Sequence, residues 1–428
     1  MRTLFKDIEA KITNELAGRC ILGITVCARA DDTKDGILYL NTHRQPDSGT
    51  EAILNQNDLF LIASQSKTFT AVATLDLADR GLLSLKSKLI GLLPDLKNHP
   101  DHSKLADITV KDLLQHQAPL DWRKEMYDRW DMGTPYPTVA AISGPGLFAM
   151  LDPDRLNEKM REPSYSNASY ALLGAIVERV ARENKLGSSF GDFVQKNLLE
   201  PNGLDEIHPG LSSKEIGDTK NIVQGYYMLE DKTLKRSLTP SMHACTPSGG
   251  FYGTAEQFSK FYHMLLTGKI LTEHSLEIMK DFSKTFWKGM GLHRYENDGS
   301  FGHGGVMTGY NSCTVHKDGV TISVLSNLCT LSNDLEPNRF DYAALGETPL
   351  LPTIVTIIRE AIANHYPDQK WTPENPTPES RIPKVQNLLP SSGMQQIRSL
   401  QKSAPQKWRR PFGSLVQKFE FNLSFECL

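Results

Sequence analysis

Residues 63–71 read ASQSKTFTA. The stretch follows an apolar run, LFLIA (59–63), and leads into another, FTAVATLDLA (69–78). A charged lysine between such runs is costly to bury. The pattern predicts a helix through Ala78, ended by Arg80-Gly81 with glycine at the C-terminal cap. Its faces are mostly apolar, which puts it in the middle of the protein. If the helix begins at Ser64, then Ser64 and Lys67 are i and i+3, neighbours on one face. Ser66 and Lys67 are adjacent and point about 100° apart. The spacing therefore pairs Ser64, not Ser66, with the lysine. A helix start also offers free N–H groups and a dipole that favours developing negative charge. Desolvation favours the neutral amine, which can take a proton from a hydroxyl. That is the logic of an activated nucleophile. The stretch by itself leaves a structural alternative open, with Ser64 as an N-cap and Lys67 snorkelling to water. A lone S-x-x-K is common, and a second one, Ser399 to Lys402, is assigned no function. A phosphate loop through Ser66-Lys67-Thr68 fails because the glycines that precede such a lysine are absent.

Outward from this stretch, the chain has strand signals at both ends. ILGITVCARA (21–30) and GILYLNTHR (36–44) flank a polar turn, DDTKDG, after a first helix over about 5–16. Residues 82–244 read mainly as helix and long loops. ITVKDLLQHQAPL (108–120) is a capped helix with its exit loop. NASYALLGAIVERVAREN (167–184) is the clearest amphipathic helix, with Asn167 as N-cap and a stripe of Tyr170, Leu173, Ile176, Val177 and Val180. GHGGVMTGYNSCTVHKDGVTISVLSNL (302–328) reads as a loop and two strands turned by Lys317-Asp318-Gly319, and PTIVTIIREAIANHY (352–366) as a closing helix. This order predicts an α/β (α+β) fold. An antiparallel sheet lobe is built from about 1–63 and 245–370, with an all-helical insertion over about 64–244. Residues 371–383 are a proline-rich linker. Residues 384–428 form a basic tail whose end alternates apolar and polar side chains, a half-buried strand in need of a sheet. Docking on the body or homo-oligomerisation through that tail is the expectation.

Composition narrows the partners. A chain of 428 residues exceeds what one core usually supports, in line with two lobes. The net charge of -3 gives no reason to expect a nucleic-acid partner. No run approaches the roughly 18 apolar residues of a membrane span. The first 18 residues are charged and amphipathic, unlike a secretory signal, which points to the cytoplasm. The six cysteines show no C-x-x-C pairing and read as buried thiols. His99 and His102 sit in a proline-interrupted loop, with no further ligands in sight for a zinc site. No metal or cofactor is expected.

Two further motifs give the lysine a site to belong to. Tyr165-Ser166-Asn167 stands at the entrance of the 167–184 helix, and His303-Gly304-Gly305 where a strand should begin. With Ser64-x-x-Lys67 in the first place, the chain resembles the serine beta-lactamase-like hydrolases. That family includes class C beta-lactamases, DD-peptidases, D-amino acid peptidases and related esterases and acyltransferases. Its pattern is a helix-opening S-x-x-K, then Y-x-N about 100 residues on, then K-T-G or H-x-G on an inner strand. The similarity runs from about Gly23 to Ser326 and includes ITVKDLLQHQAPL and SGGFYGTAEQFSKF (248–261).

The resemblance implies roles. Ser64 is the nucleophile that becomes acylated, Lys67 its proton acceptor, and Tyr165 the second proton relay. Asn167 bonds Lys67 or the substrate amide. His303 takes the place of the third-motif lysine, positioning Tyr165 or substrate. The backbone N–H groups of Ser64 and Val306 form the oxyanion hole. Gly304 and Gly305 allow close approach to the strand. Ser248, Gly249 and Gly250 shape a loop near the site. Tyr295-Glu296-Asn297, a second Y-x-N, reads as a hairpin tip, and His116 as a helix-end residue satisfied locally, with lining of the cleft as its alternative. Departures from the family lie at HQAPL, where relatives often read HTSGL, and in a long loop over 122–146. In and just beyond that loop, Trp122, Trp130, Tyr136 and Phe148 are candidates for an apolar pocket. The expected activity is that of a serine hydrolase, an esterase or amidase on a small molecule or short peptide. An acyltransferase of secondary metabolism and a non-catalytic scaffold are the alternatives.

Overall fold

The computed structural model describes residues 8, 10–12, 23–30, 37–41, 54–98, 102–121, 164–211, 213–228, 234–237, 246–282, 289–295, 299–307, 309–330, 354–358 and 360. Six strands form one antiparallel sheet in the order β2-β1-β11-β10-β9-β8. They are β1 (Ile24–Ala30), β2 (Ile37–Asn41), β8 (His293–Arg294), β9 (Phe301–Met307), β10 (Tyr310–Lys317) and β11 (Val320–Ser326). The two ends of the chain meet where β1 runs against β11, from Ile24 opposite Ser326 to Ala30 opposite Val320. The α/β class expected from the strand-helix-strand order is what the chain adopts.

Local chemistry sets the register of this sheet. Asp318 and Gly319 both have positive φ, 49° and 77°, the mark of a two-residue type I′ hairpin. That turn pairs Lys317 with Val320 and fixes β10 on β11. Alternation then sends side chains to opposite faces. On one face Cys27 of β1 and Thr321 of β11 meet helix α4 (Ala255–Leu266), through Ser259 and His263. Burial raises the Cys27 thiol to about 12 and the Cys313 thiol to about 11. Both are inert packing groups at neutral pH. The stretch 302–328 holds three strands where two were expected, because His303-Gly304-Gly305 is itself inside β9. The closing helix is present at 354–358 and 360.

Helix α1 (Ser66–Asp79) crosses the centre, with eleven of its residues buried on all sides. Phe69 stacks on Phe261 of α4 at 3.8 Å and on Phe251 at 4.6 Å between ring centroids. The Thr70 hydroxyl donates to Pro247 C=O at 2.6 Å. Helix α2 (Val110–Leu114) opens on a capping box between Thr109 and Asp112, and helix α3 (Asn167–Glu183) packs beside α1. Tyr170, Leu173, Ile176, Val177 and Val180 of α3 are all buried, as their stripe predicted.

The 64–244 block is not all-helical. It carries β4 (Ile207–Pro209), β5 (Tyr226–Met228) and β6 (Leu234–Arg236). With β3 (Phe60–Leu61), β7 (Phe251–Gly253) and β12 (Leu328–Thr330) they form two small sheets, β3-β7-β4 and β12-β5-β6. Strands of three residues are too short to display the alternation by which a strand is read. The loop over 122–146, with Trp122, Trp130 and Tyr136, lies outside the described residues. So do Phe148, His99, the proline-rich linker and the basic tail. Among the described residues, no helix is long and apolar enough to cross a membrane.

Candidate active site

The stretch 63–67 is not a helix start in the simple sense. Ala63–Gln65 is a 3-10 turn, and α1 begins at Ser66. Ala63 sits at φ +47°, a left-handed conformation uncommon for a residue with a side chain. The turn is fastened at both ends. Ile62 N–H donates to Phe251 C=O at 3.0 Å, and the Ser66 hydroxyl donates to Ala63 C=O at 2.7 Å. A 3-10 turn places i and i+3 nearly in line, so the pairing of Ser64 with Lys67 survives the change of helix type. Within 61–67, Ser64 is the residue that keeps access to solvent.

Lys67 is fully buried. Its amine donates to Ser64 Oγ at 3.1 Å and to Ser248 C=O at 2.6 Å. Ser248 lies in a one-turn helix, Thr246–Gly249. The sequence assigned this segment only to shaping a loop. It does more, since its carbonyl holds the lysine. Tyr165 shares a hydrogen bond with the Ser64 side chain. Its ring lies 4.8 Å from Lys67 Nζ. Burial is the main cause that raises the Tyr165 pKa, so the phenol keeps its proton at neutral pH.

Asn167 is the first residue of α3 and half-buried. It is not the N-cap. Ser166 has the extended backbone of a cap (φ -139°, ψ 118°), and its hydroxyl accepts from Ser169 N–H at 3.0 Å. Two adjacent residues of capping type compete for that role, and backbone conformation decides between them.

Strand β9 brings the third motif alongside. A Cβ built on Gly305 would lie 2.0 Å from Ile62 O and 2.9 Å from Ser64 N. Only glycine lets β9 come this close to the turn that carries Ser64. From β10, the Ser312 hydroxyl donates to the same Ile62 carbonyl at 2.8 Å. Val306 follows Gly305 on β9, opposite Asn311. His303 is buried, and its Nδ1–H donates to Gly304 C=O. Burial first, then the nearby His293 and Lys67, hold its pKa well below the ordinary imidazole value. It is therefore a neutral ring. His293 of β8 stacks on it, with ring centroids 3.9 Å apart.

Ser64, Lys67 and Tyr165 are in mutual contact, and β9 carries the His303–Val306 segment against the Ser64 turn. Tyr295 is at the β8–β9 hairpin, as read, with its N–H donating to Ser300 C=O at 2.9 Å. Sequence reasoning missed the contact of Ser248 with Lys67 and that of His293 with His303. It favoured a locally satisfied His116 over one that lines the cleft, whereas this ring stacks on Tyr165 at 4.7 Å.

Comparison with known proteins agrees with this geometry. Residues 8–345 match the Beta-lactamase family model. A penicillin-binding protein of Bacillus subtilis (strain 168) is 28% identical over 174 residues, 40% of this chain and 35% of that protein. The protein named "Putative penicillin-binding protein PbpX", from the same organism, is 25% identical over 267 residues, 62% of this chain and 61% of that protein. The chain thus spans less than two thirds of the length of these curated relatives. Among solved structures, D-amino acid amidase from Ochrobactrum anthropi SV3, complexed with D-phenylalanine, superposes with a TM-score of 0.68. It is 20% identical and covers 85% of this chain and 99% of its own. The fold is shared with that amidase, and the family model spans well over half of the sequence, so the chain belongs to the beta-lactamase family.

Proposed function

We propose that the protein is a serine hydrolase that cleaves an ester or amide through an acyl-Ser64 intermediate. One observation carries the reading. A single half-exposed hydroxyl, Ser64, accepts a hydrogen bond from the buried Lys67 amine and shares another with Tyr165. A structural serine has no need of two such partners, whereas a nucleophile needs a proton acceptor and a relay.

The steps follow from where these groups sit. Ser64 Oγ attacks the carbonyl carbon, and its proton passes to Lys67 in the neutral form. Negative charge grows on the carbonyl oxygen, facing the backbone N–H groups of Ser64 and Val306. Tyr165, still protonated, gives its proton to the leaving alcohol or amine and is reprotonated from Lys67. Water then attacks the acyl-Ser64, with the same groups working in reverse. Asn167 borders Tyr165 at the start of α3, where it binds the substrate amide or steadies Lys67.

His303 bears on the substrate. As a neutral ring it offers no positive charge to a substrate carboxylate, where a third-motif lysine would. This favours neutral esters and amides of small molecules or short peptides. The relationship to a D-amino acid amidase makes D-amino acid amides the first compounds to try. The test is turnover of p-nitrophenyl esters and D-amino acid amides by the wild type and by Ser64→Ala. Turnover lost in the variant supports the reading, and equal turnover in both would sink it.

A further inference from the structure

We propose that His116 is a positioning residue for Tyr165, holding the phenol in register with Ser64 from the end of helix α2. The inference rests on Tyr165 acting as the proton relay.

The first observation is a residue in the wrong place for a helix end. Helix α1 stops in a Schellman motif: Gly81 N–H donates to Ala78 C=O, Leu82 N–H to Leu77 C=O, and Gly81 stands at φ +73°. Helix α2 stops in the same motif. His116 N–H donates to Leu113 C=O at 3.3 Å, and Gln117 N–H to Asp112 C=O at 2.8 Å. The left-handed position that Gly81 fills in α1 is filled in α2 by His116, at φ +55°. Glycine or asparagine is the usual occupant, since a side chain there is strained. Strain of this kind persists where the surroundings enforce it, and it gathers at functional sites.

The second observation is what the side chain does. His116 is buried. Its Nδ1 accepts the Ser166 N–H at 3.0 Å, and its backbone C=O accepts the Ser164 N–H at 2.9 Å. One residue thus grips the chain on both sides of Tyr165. The imidazole also stacks on the Tyr165 ring, with centroids 4.7 Å apart and planes at 28°. It lies 4.9 Å from the ring of Tyr170, whose hydroxyl donates to Leu114 C=O at 2.9 Å. Backbone and ring of Tyr165 are therefore both referenced to the end of α2. An acceptor Nδ1 carries no proton, so this grip uses the neutral imidazole. A helix cap alone needs none of these contacts, and a glycine would make a better one.

The test uses His116→Gly and His116→Asn, each in the full chain and again on Tyr165→Phe. Glycine suits the backbone and removes both the ring and the acceptor. Asparagine tolerates the left-handed position and keeps a side-chain acceptor for Ser166. We expect His116→Gly to retain a cooperative melt while kcat on a p-nitrophenyl ester falls about 10–100-fold with KM within about twofold. His116→Asn should recover part of that loss. On Tyr165→Phe, adding His116→Gly should cost less than about twofold, because the group it positions is already gone. Full kcat in His116→Gly would overturn the inference. So would an equal loss with and without the Tyr165 hydroxyl. If the wild type labels on Ser64 but is indifferent to His116, this inference fails alone. If Ser64 does not label, the reading of the site fails and takes it down as well.

Discussion

Two serines two residues apart, Ser64 and Ser66, face opposite sides of the same turn. Ser66 looks into the core. It is fully buried, donates to Ala63 C=O, and accepts the Phe251 N–H at 3.0 Å. Its hydroxyl is satisfied by two backbone groups and stitches the turn to β7 (Phe251–Gly253). Ser64 looks out. It keeps access to solvent, and its side-chain partners are an amine and a phenol, groups that can move a proton. The residue type is the same on both sides. The difference in role comes from what the fold puts opposite each hydroxyl.

This contrast can be broken in graded steps. Replacing Lys67 by Ala removes the amine that donates to Ser64 Oγ, the proposed proton acceptor. Ester turnover should fall about 10³-fold, measured as kcat/KM. A loss of less than tenfold would mean that another group takes the Ser64 proton. Tyr165→Phe should cost about 10²-fold, with the greater effect on amides, whose leaving amine needs a proton. A larger effect on activated esters than on amides would contradict its role as relay. Ser66→Ala belongs to the other face. It leaves the Phe251 N–H unpaired in the core, and should lower stability by about 1–3 kcal/mol in a urea melt. Its kcat should stay within about threefold of wild type, and a loss as deep as that of Lys67→Ala would erase the distinction drawn between the faces.

The smallest effect concerns pH. His303 is buried as a neutral ring, with its pKa held below the ordinary value of 6.5. Below about pH 6.5 the unfolded chain takes up a proton that the folded chain refuses. The contribution of this group to stability is therefore full above that pH. It is lost as pH falls toward the depressed folded value. His303→Gln should flatten this acid limb in urea melts between about pH 5 and 7.5. Burial also holds His208 below its ordinary value, so part of the limb should remain. An unchanged slope in the variant would count against a neutral His303.

Much of the frame was legible in the chain. The apolar runs around residues 63–71 forecast a buried helix, spacing chose Ser64 over Ser66, and Asp318-Gly319 marked a hairpin that forms. Three short motifs in order identified the family. What stayed hidden were tertiary relations. His116 meets the Tyr165 segment across fifty residues of sequence. Ser248 contributes a backbone carbonyl to Lys67, and a carbonyl is the same at every residue. The stack of His293 on His303 depends on two strands pairing in one register. The left-handed Ala63 and His116 depart from local preference, and local preference is all that a propensity argument can use.

The central claim is that the acyl group is carried by Ser64 and not by its neighbour. The most direct measurement is peptide mass spectrometry after brief treatment with a fluorophosphonate, or with a slowly hydrolysed ester at low temperature. The adduct should sit on Ser64 within ASQSK, should vanish in Ser64→Ala, and should persist in Ser66→Ala. An adduct on Ser66, or one that survives Ser64→Ala, would contradict the assignment.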